Sequence, residues 1–570
     1  MGLSEEELLD DLDCLAWCKR TAKPAFKPTL RARNLAYEYQ FDPSQEFKGA
    51  SSSFYVLGLE TAEGKPISVT FLKDHSHLEQ GLIVVQAKEE PPAVISLIPN
   101  EYVDPKPISE AIATVATDYD QGQLAEKSPA IVDFLTRSKP RFQDHYCFPD
   151  NSEAIAPSRD PQERLQQVIN AVRHLDRSYL TIQGPPGAGK SYTGKHIIAD
   201  LVRTGVRVGI ASNSHKAINN LLFSTAQYCR EQRIQATFTC AKISEQEAAS
   251  FADYGIFQVK NSELASHVQP SCVLGTTAWG FSREDMAEQL DYLFIDEAGQ
   301  VAVANLVAMA RSAKNLVLMG DQMQLGQPSQ AAHPADSGLS CLDYLLRDQA
   351  TIPREQGVFL GTTYRLHSQI NQLISEHIYD GELDAYDAND QRRLAISSAD
   401  PVFQKEAGVI FVPVEHQGNS QASPEEVRTI QKLVNQLLGR TYHTGNPEQL
   451  TRPIDWDDML FVAPYNHQVQ KLRQALGDQA KIGSVDKFQG QEAPIVFLSM
   501  CSSDANESPR GIDFLFDRNR LNVAISRAQT LAIIVGQPAL RQTSVSRVEQ
   551  LKLVNFFNAL TSVNIHRLEK

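Results

Sequence analysis

Gly184-Pro185-Pro186-Gly187-Ala188-Gly189-Lys190-Ser191 constrains this chain more than any other stretch. It fits the G-x-x-x-x-G-K-[ST] phosphate-binding pattern. The β-prone run Tyr179–Gln183 precedes it, and the amphipathic run Tyr192–Leu201 follows. A strand, a glycine-rich turn and a helix in that order let backbone N–H groups close around phosphates, at a helix N-terminus whose dipole favours anions. Lys190 would then neutralise the β/γ oxygens, and Ser191 would offer its hydroxyl to Mg²⁺. The alternative, a chance glycine-rich turn, leaves the flanking elements unexplained. The stretch points to nucleotide hydrolysis.

A chain of 570 residues is too long for one core and implies three or four domains. No apolar run approaches the length of a membrane span, and the acidic start Glu5-Glu6-Glu7 is neither a secretory signal nor a transit peptide. No membrane association and a cytoplasmic location are therefore expected. Eight scattered cysteines complete no zinc or cluster spacing and read as reduced thiols. The net charge of −15 argues against a generic nucleic-acid coat protein, while leaving room for a local basic groove.

Residues 1–49 read as a helical segment, with runs at 6–17 and 30–39. Four β-prone runs between 54 and 98 predict a small antiparallel barrel over 50–104. Residues 105–159 read as a helical stalk broken at Pro129 and Pro140. From about 160, apolar strands alternate with helix-like stretches, which predicts parallel βαβ units. The economical α/β reading is two tandem lobes, 160–348 with the P-loop and 349–570, the strand alternation resuming at Gly357–Leu360. Polar segments at 381–400, 415–426 and 443–457 read as surface loops.

Phe294-Ile295-Asp296-Glu297 is an apolar strand ending in two carboxylates, where open α/β sheets place their ligands. Asp296 suits a Mg²⁺ ligand and Glu297 a base for the attacking water. Gln324, in the turn after Leu316–Met319, is a candidate to reach the γ-phosphate; an ordinary turn is the alternative. Arg365 and Arg527, in the half without a P-loop, are candidate arginine fingers, a role that contributes ~10³–10⁵ in rate. Were both to reach the nucleotide, hydrolysis would require lobe closure. Ser484 through Glu492 mixes hydroxyl, carboxylate, amide and glycine, which suits a loop touching both a backbone phosphate and the nucleotide.

Together these motifs resemble superfamily 1 helicases, in the branch that includes the nonsense-mediated-decay helicase and the Dna-two nuclease-helicases. The resemblance covers about 160–540, with the motifs in the family's order, and implies two tandem RecA-like lobes around the P-loop. It implies that Gly184 through Ser191, with Tyr192 beside them, hold ATP. It places Ser212, Asn213, His215, Lys216, Thr276 and Thr277 on the nucleic-acid backbone, with Pro464, Tyr465, Ser484 and Asp486 on the strand in the second lobe. It further implies that Tyr364 stacks on adenine, that Arg365 meets the γ-phosphate, that Arg527 is the arginine of motif VI, and that Glu492 lies near the ribose. Gln166 or Gln167 resembles the adenine-reading glutamine, and Gln167 is favoured. Ser191 stands where threonine is commoner, and Leu366 where methionine is; both changes are mild. The family's zinc module is missing on cysteine count. The start of the chain looks like relatives fused to a RecB-like nuclease, yet no nuclease constellation of carboxylates and lysine is visible, and no nuclease activity is expected.

The resemblance implies an ATP-driven translocase on single-stranded DNA or RNA with 5′→3′ polarity. The alternative is a nucleic-acid clamp switched by ATP, serving a partner nuclease without processive unwinding. A small-molecule kinase would explain neither the second lobe nor its two arginines.

Overall fold

The computed structural model describes residues 8, 13–29, 32–43, 45, 47, 51–61, 64, 66–100, 104–149, 152–326, 333–397, 400, 403–488 and 490–562. Six strands open the chain: β1 (Leu15–Arg20), β2 (Leu35–Gln40), β3 (Ser53–Glu60), β4 (Pro66–Phe71), β5 (Leu82–Ala87) and β6 (Val94–Pro99). They close into a barrel in the order β1-β2-β5-β4-β3-β6, packed around Leu15, Tyr39, Phe54, Ile83 and Leu97. Closure leaves no unpaired edge.

The barrel therefore begins at Leu15, not near 50, and the ends of two runs expected to be helical, 15–17 and 35–39, are strands, residues 30 and 31 lying outside the described residues. Residues 6, 7 and 9–12 of the first run lie outside the described residues; from Leu15 onward the chain is extended. In β2 all six residues pair antiparallel with β5, from Leu35 opposite Ala87 to Gln40 opposite Leu82. A short apolar run is ambiguous between helix and strand, and here a partner more than forty residues away settles it.

The helix Lys106–Asp120 then packs Ile108, Ala111 and Val115 into a core shared with Leu290, Leu293 and Leu306. This segment is thus part of the next lobe's packing. Pro129 starts a short helix at its first turn, where a missing N–H costs nothing.

The first α/β lobe is built on β7 (Tyr179–Gln183), β8 (Val208–Ala211), β9 (Thr237–Cys240), β10 (Ile256–Gln258), β11 (Cys272–Gly275), β12 (Leu290–Ile295), β13 (Ala313–Gly320) and β14 (Gly357–Phe359). All pair parallel, in the order β10-β9-β11-β8-β12-β13-β7-β14. Helices cover both faces, which is why the strands read as near-continuous apolar runs. The helix Pro161–Arg173 shows the local logic: Asp160 accepts from the Gln162 and Glu163 N–H groups, and Pro161 fills the first turn. β14 corrects the expected boundary. It pairs with β7 through Gly357, Val358 and Phe359, so the chain returns to the first sheet before entering the second lobe. Strand pairing of this kind leaves no local mark.

After a two-residue pair, β15 (Thr362–Thr363) with β16 (Asp384–Ala385), come β17 (Arg392–Leu394), β18 (Gly408–Pro413), β19 (Thr441–Asn446), β20 (Gln449–Pro453), β21 (Met459–Val462), β22 (Lys481–Gly483), β23 (Ala493–Ser499) and β24 (Ala528–Gly536). The second lobe is the parallel sheet β18-β24-β23-β21-β22. Alternate residues of its strands fill two cores, Val409 and Phe411 on one face, Ile410 and Val412 on the other. β17, β19 and β20 form a separate antiparallel sheet, so part of 443–457 is a hairpin and not a loop.

Candidate nucleotide and nucleic-acid site

A cleft of about 610 Å³ lies where the lobes meet. From the first lobe it is lined by Pro185 through Tyr192, Asp296, Glu297 and Gln324; from the second, by Arg365 and Arg527. Residues more than 300 positions apart thus converge on one space.

β7 ends at Gln183, and the chain turns through Gly184–Gly189 into the helix Lys190–Arg203. Gly187 has φ +75°, and a Cβ there would lie 2.4 Å from the Arg365 Cβ and 2.8 Å from Thr363 Oγ1. Only glycine lets the second lobe approach so closely. The approach is also bonded: the Tyr364 N–H donates to Gly187 O at 2.9 Å, and Thr363 Oγ1 donates to Pro186 O at 2.9 Å. Gly184 sits outside the lining, under the stem of Lys190, whose Nζ donates to the Gly184 carbonyl at 2.8 Å.

β12 delivers Asp296 and Glu297 to the carboxyl edge of the sheet. Asp296 is 5% exposed and accepts from the Glu297 N–H at 3.0 Å. Burial and then the neighbouring Glu297 hold its carboxyl above the usual carboxylate range, with Lys190 opposing them. A hydroxyl at Ser191 and this undercompensated carboxylate fit a divalent cation such as Mg²⁺. Glu297 itself has φ +53°, a conformation that costs an L residue about 1–2 kcal/mol and recurs at functional sites. Gln324 donates through Nε2 to Asp321 Oδ2 at 3.0 Å.

In the second lobe the Arg365 Nε is ion-paired with Glu492, and its Nη1 donates to Ser526 O at 3.3 Å. Arg527 is 2% exposed; its Nε donates to Val523 O and its Nη1 to Gln491 O, each at 3.2 Å. Burial, then the nearby Arg365, pushes the Arg527 guanidinium down to about 10. It stays a cation at neutral pH.

Two residues without a motif grip the loop that carries Tyr364 and Arg365. Asn389 Nδ2 donates to Thr363 O and Leu366 O, each at 2.9 Å, and Arg392 donates to Arg365 O and Tyr364 O, each at 2.8 Å. Four successive carbonyls are thus held. Both residues lie in the stretch read as a surface loop, and nothing local in the sequence marks them.

Tyr364 is 40% exposed, its ring tilted 47° against the Tyr386 ring at 5.2 Å, and it lies outside the cleft lining. Gln167 is outside the cleft lining, and its Oε1 accepts from the Ser158 N–H at 3.0 Å; Gln166 is exposed. Glu492, the expected ribose partner, is taken by Arg365 and by Gln529 Nε2 at 2.8 Å.

The residues expected on the strand follow β8, β11, β21 and β22, at the carboxyl edges of both sheets. They divide into two groups. Ser212, Lys216 and Asp486 line the nucleotide cleft itself, and Asp486 accepts from Arg520 at 3.2 Å. The others lie outside it. Asn213 donates to Gln300 O, and His215 begins the helix His215–Glu231. Thr276 is buried with its hydroxyl donated to Asn261 at 2.7 Å, and Thr277 immediately precedes a short helix without a side-chain capping bond. Tyr465 is buried and bonded to Ser508, beside a half-buried Pro464 and Ser484. Gln489 of the same motif lies outside the described residues.

Two parallel-sheet lobes closing on a phosphate loop define the core of a P-loop nucleoside triphosphatase. Two family models, each described as an AAA domain, match residues 163–337 and 339–539. The chain is 27% identical over 435 residues to the DNA replication ATP-dependent helicase/nuclease of Gallus gallus, covering 72% of this chain and 40% of that one. It is 26% identical over 415 residues to the Regulator of nonsense transcripts 1 homolog of Drosophila melanogaster, covering 65% and 34%. Among solved structures, the Arterivirus nonstructural protein 10 (helicase) with DNA is similar over 64% of this chain and 61% of that one, with a TM-score of 0.33 and 14% identity. The chain spans 40% and 34% of the length of those two relatives. With the motifs in order, it belongs to superfamily 1 of the helicases, in the branch of the replication helicase/nucleases and the regulators of nonsense transcripts. No helix among the described residues is long and apolar enough to cross a membrane.

Proposed function

We propose that this chain hydrolyses ATP between its lobes and uses the cycle to move 5′→3′ along single-stranded DNA or RNA, opening duplex ahead of it. One observation carries the reading: a single cleft draws Lys190, Asp296, Glu297 and Gln324 from one sheet and Arg365 and Arg527 from the other.

The backbone N–H groups of Gly187 and Gly189, with the Lys190 ammonium, receive the β- and γ-phosphates. Glu297 orients a water and takes its proton as the water oxygen bonds to the γ-phosphorus and the bond to the bridging oxygen breaks, giving ADP and phosphate. Ser191 and Asp296 would hold a Mg²⁺, which when bound neutralises charge on the β and γ oxygens. Arg365 and Arg527 stabilise the charge that develops at the γ-phosphoryl group, and Arg365 must leave Glu492 to do so. Closing and reopening of the lobes then shifts the grip of the two carboxyl edges on the strand.

The test is ATP hydrolysis with and without single-stranded DNA and RNA, with Glu297→Gln as the inactive control. Stimulation by one polymer, lost in the variant, is expected. Hydrolysis indifferent to both polymers overturns the reading, and displacement only in the 3′→5′ sense overturns the polarity. Strand binding that responds to ATP while duplexes stay intact would instead favour a clamp acting with a partner nuclease.

A further inference from the structure

The turn Asp321–Gln324 leaves β13 at the lobe boundary, and its hydrogen bonds cross that boundary. Tyr379, which ends the helix Ser368–Ile378 of the second lobe, donates its hydroxyl to Asp321 Oδ2 at 2.7 Å. Gln324 donates to the same oxygen at 3.0 Å. Asn522, on the helix Arg518–Ile525, donates to Met323 O at 2.7 Å and to the Tyr379 hydroxyl at 3.3 Å. Asn519 on that helix donates to Gln322 O at 3.0 Å. Asp321 is 2% exposed, and Tyr379 and Asn522 are fully buried.

One carboxylate oxygen is therefore shared by a residue that faces the nucleotide cleft and a residue rooted in the other lobe. The arrangement is not saturated, because Asn522 Oδ1 is buried without a hydrogen-bond partner. Buried acceptors are normally filled, so the network stands one hydrogen bond short of completion among these side chains.

We propose that Tyr379 is a positioning residue that ties Gln324 to the second lobe: it shares Asp321 Oδ2 with Gln324, so the turn of Gln324 onto a γ-phosphate leaves that oxygen to Tyr379 and draws the lobes together. The proposal rests on the reading of the cleft as an ATP site. It gives the boundary two states selected by what Gln324 touches, which is what coupling between nucleotide and lobe position requires.

The test uses the full chain and Tyr379→Phe, which removes one hydroxyl and keeps the ring. Small-angle scattering with and without a non-hydrolysable ATP analogue reads lobe closure, and steady-state kinetics with a single strand reads turnover. The parent is expected to compact on the analogue. In Tyr379→Phe most of that compaction is lost and kcat falls by about 5-fold or more, a coupling effect, while KM for ATP stays within about twofold, as expected when binding contacts are intact. Asn522→Ala, which leaves Asp321 untouched, gives a smaller loss in the same direction, and it decides the matter should Tyr379→Phe fail to fold. Compaction and kcat matching the parent in a folded variant overturn the proposal, as does a parent that does not compact. A parent that compacts but hydrolyses no ATP would sink the reading of the preceding subsection and leave this one to the scattering result.

Discussion

Arg365 is ion-paired with Glu492 within the second lobe, while its own loop is bonded to the phosphate turn of the first. The guanidinium is thus held at the cleft by a carboxylate that a phosphate would have to replace. Arg365→Ala is expected to lower kcat by about 10³-fold or more, the range of an arginine finger, with little change in KM for ATP. Steady-state kinetics checks this. A variant that raised KM alone would make Arg365 a binding group and not a catalytic one.

Gly187→Ala places a methyl where Arg365 and Thr363 already are, at a φ that alanine rarely adopts. A destabilisation of about 1–3 kcal/mol is expected from strain and overpacking. Denaturant unfolding measures it, and hydrolysis should fall as well because the Tyr364–Gly187 bond is displaced.

Asn389 and Arg392 hold the 363–366 loop from outside the cleft lining. Arg392→Ala should therefore lower kcat about 10-fold, yet add almost nothing in an Arg365→Ala background, since residues acting as a unit are not additive. Full additivity in that double-mutant cycle would reduce Arg392 to a general stabiliser.

Asp291 accepts from Arg207 at 2.9 and 3.0 Å and from Lys314 at 3.0 Å. Burial alone would raise its carboxyl; Arg207 and then Lys314 reverse that and hold it well below the usual carboxylate range. A depressed folded value stabilises the protein above the unfolded value of about 3.9, and that stabilisation is lost as pH falls through the folded value. Asp291→Asn should cost about 1.5–3 kcal/mol at pH 7, the scale of a charged hydrogen bond, and the gap to the parent should narrow below pH 4. Unfolding curves from pH 7 down to pH 3 test both statements.

The first lobe was the most legible part of the chain, because Tyr179–Gln183, the glycine turn and Lys190 are contiguous and each link demands the next. Apolar strands such as Leu290–Ile295 announce themselves, since a parallel sheet covered on both faces leaves no room for polar alternation. What could not be read was pairing at a distance. β2 depends on β5, β14 on β7, and the hold of Asn389 and Arg392 on carbonyls some 25 residues upstream. Single residues also hid their commitments: Thr276 and Tyr465 look free to meet a strand in the sequence, but each spends its hydroxyl on a neighbour within the fold.

The return of β14 to the first sheet has a mechanical meaning. The chain leaves that sheet at Phe359, and by Thr363 and Tyr364 it is bonded to the phosphate turn. The covalent crossing between lobes thus lies beside the glycine-rich turn. In a rigid rotation each atom moves in proportion to its distance from the axis, so an axis here would keep the reacting groups almost in register while the outer ends of the second sheet swept the longest arcs. With such an axis the molecule would be a lever pivoting beside its own phosphate turn.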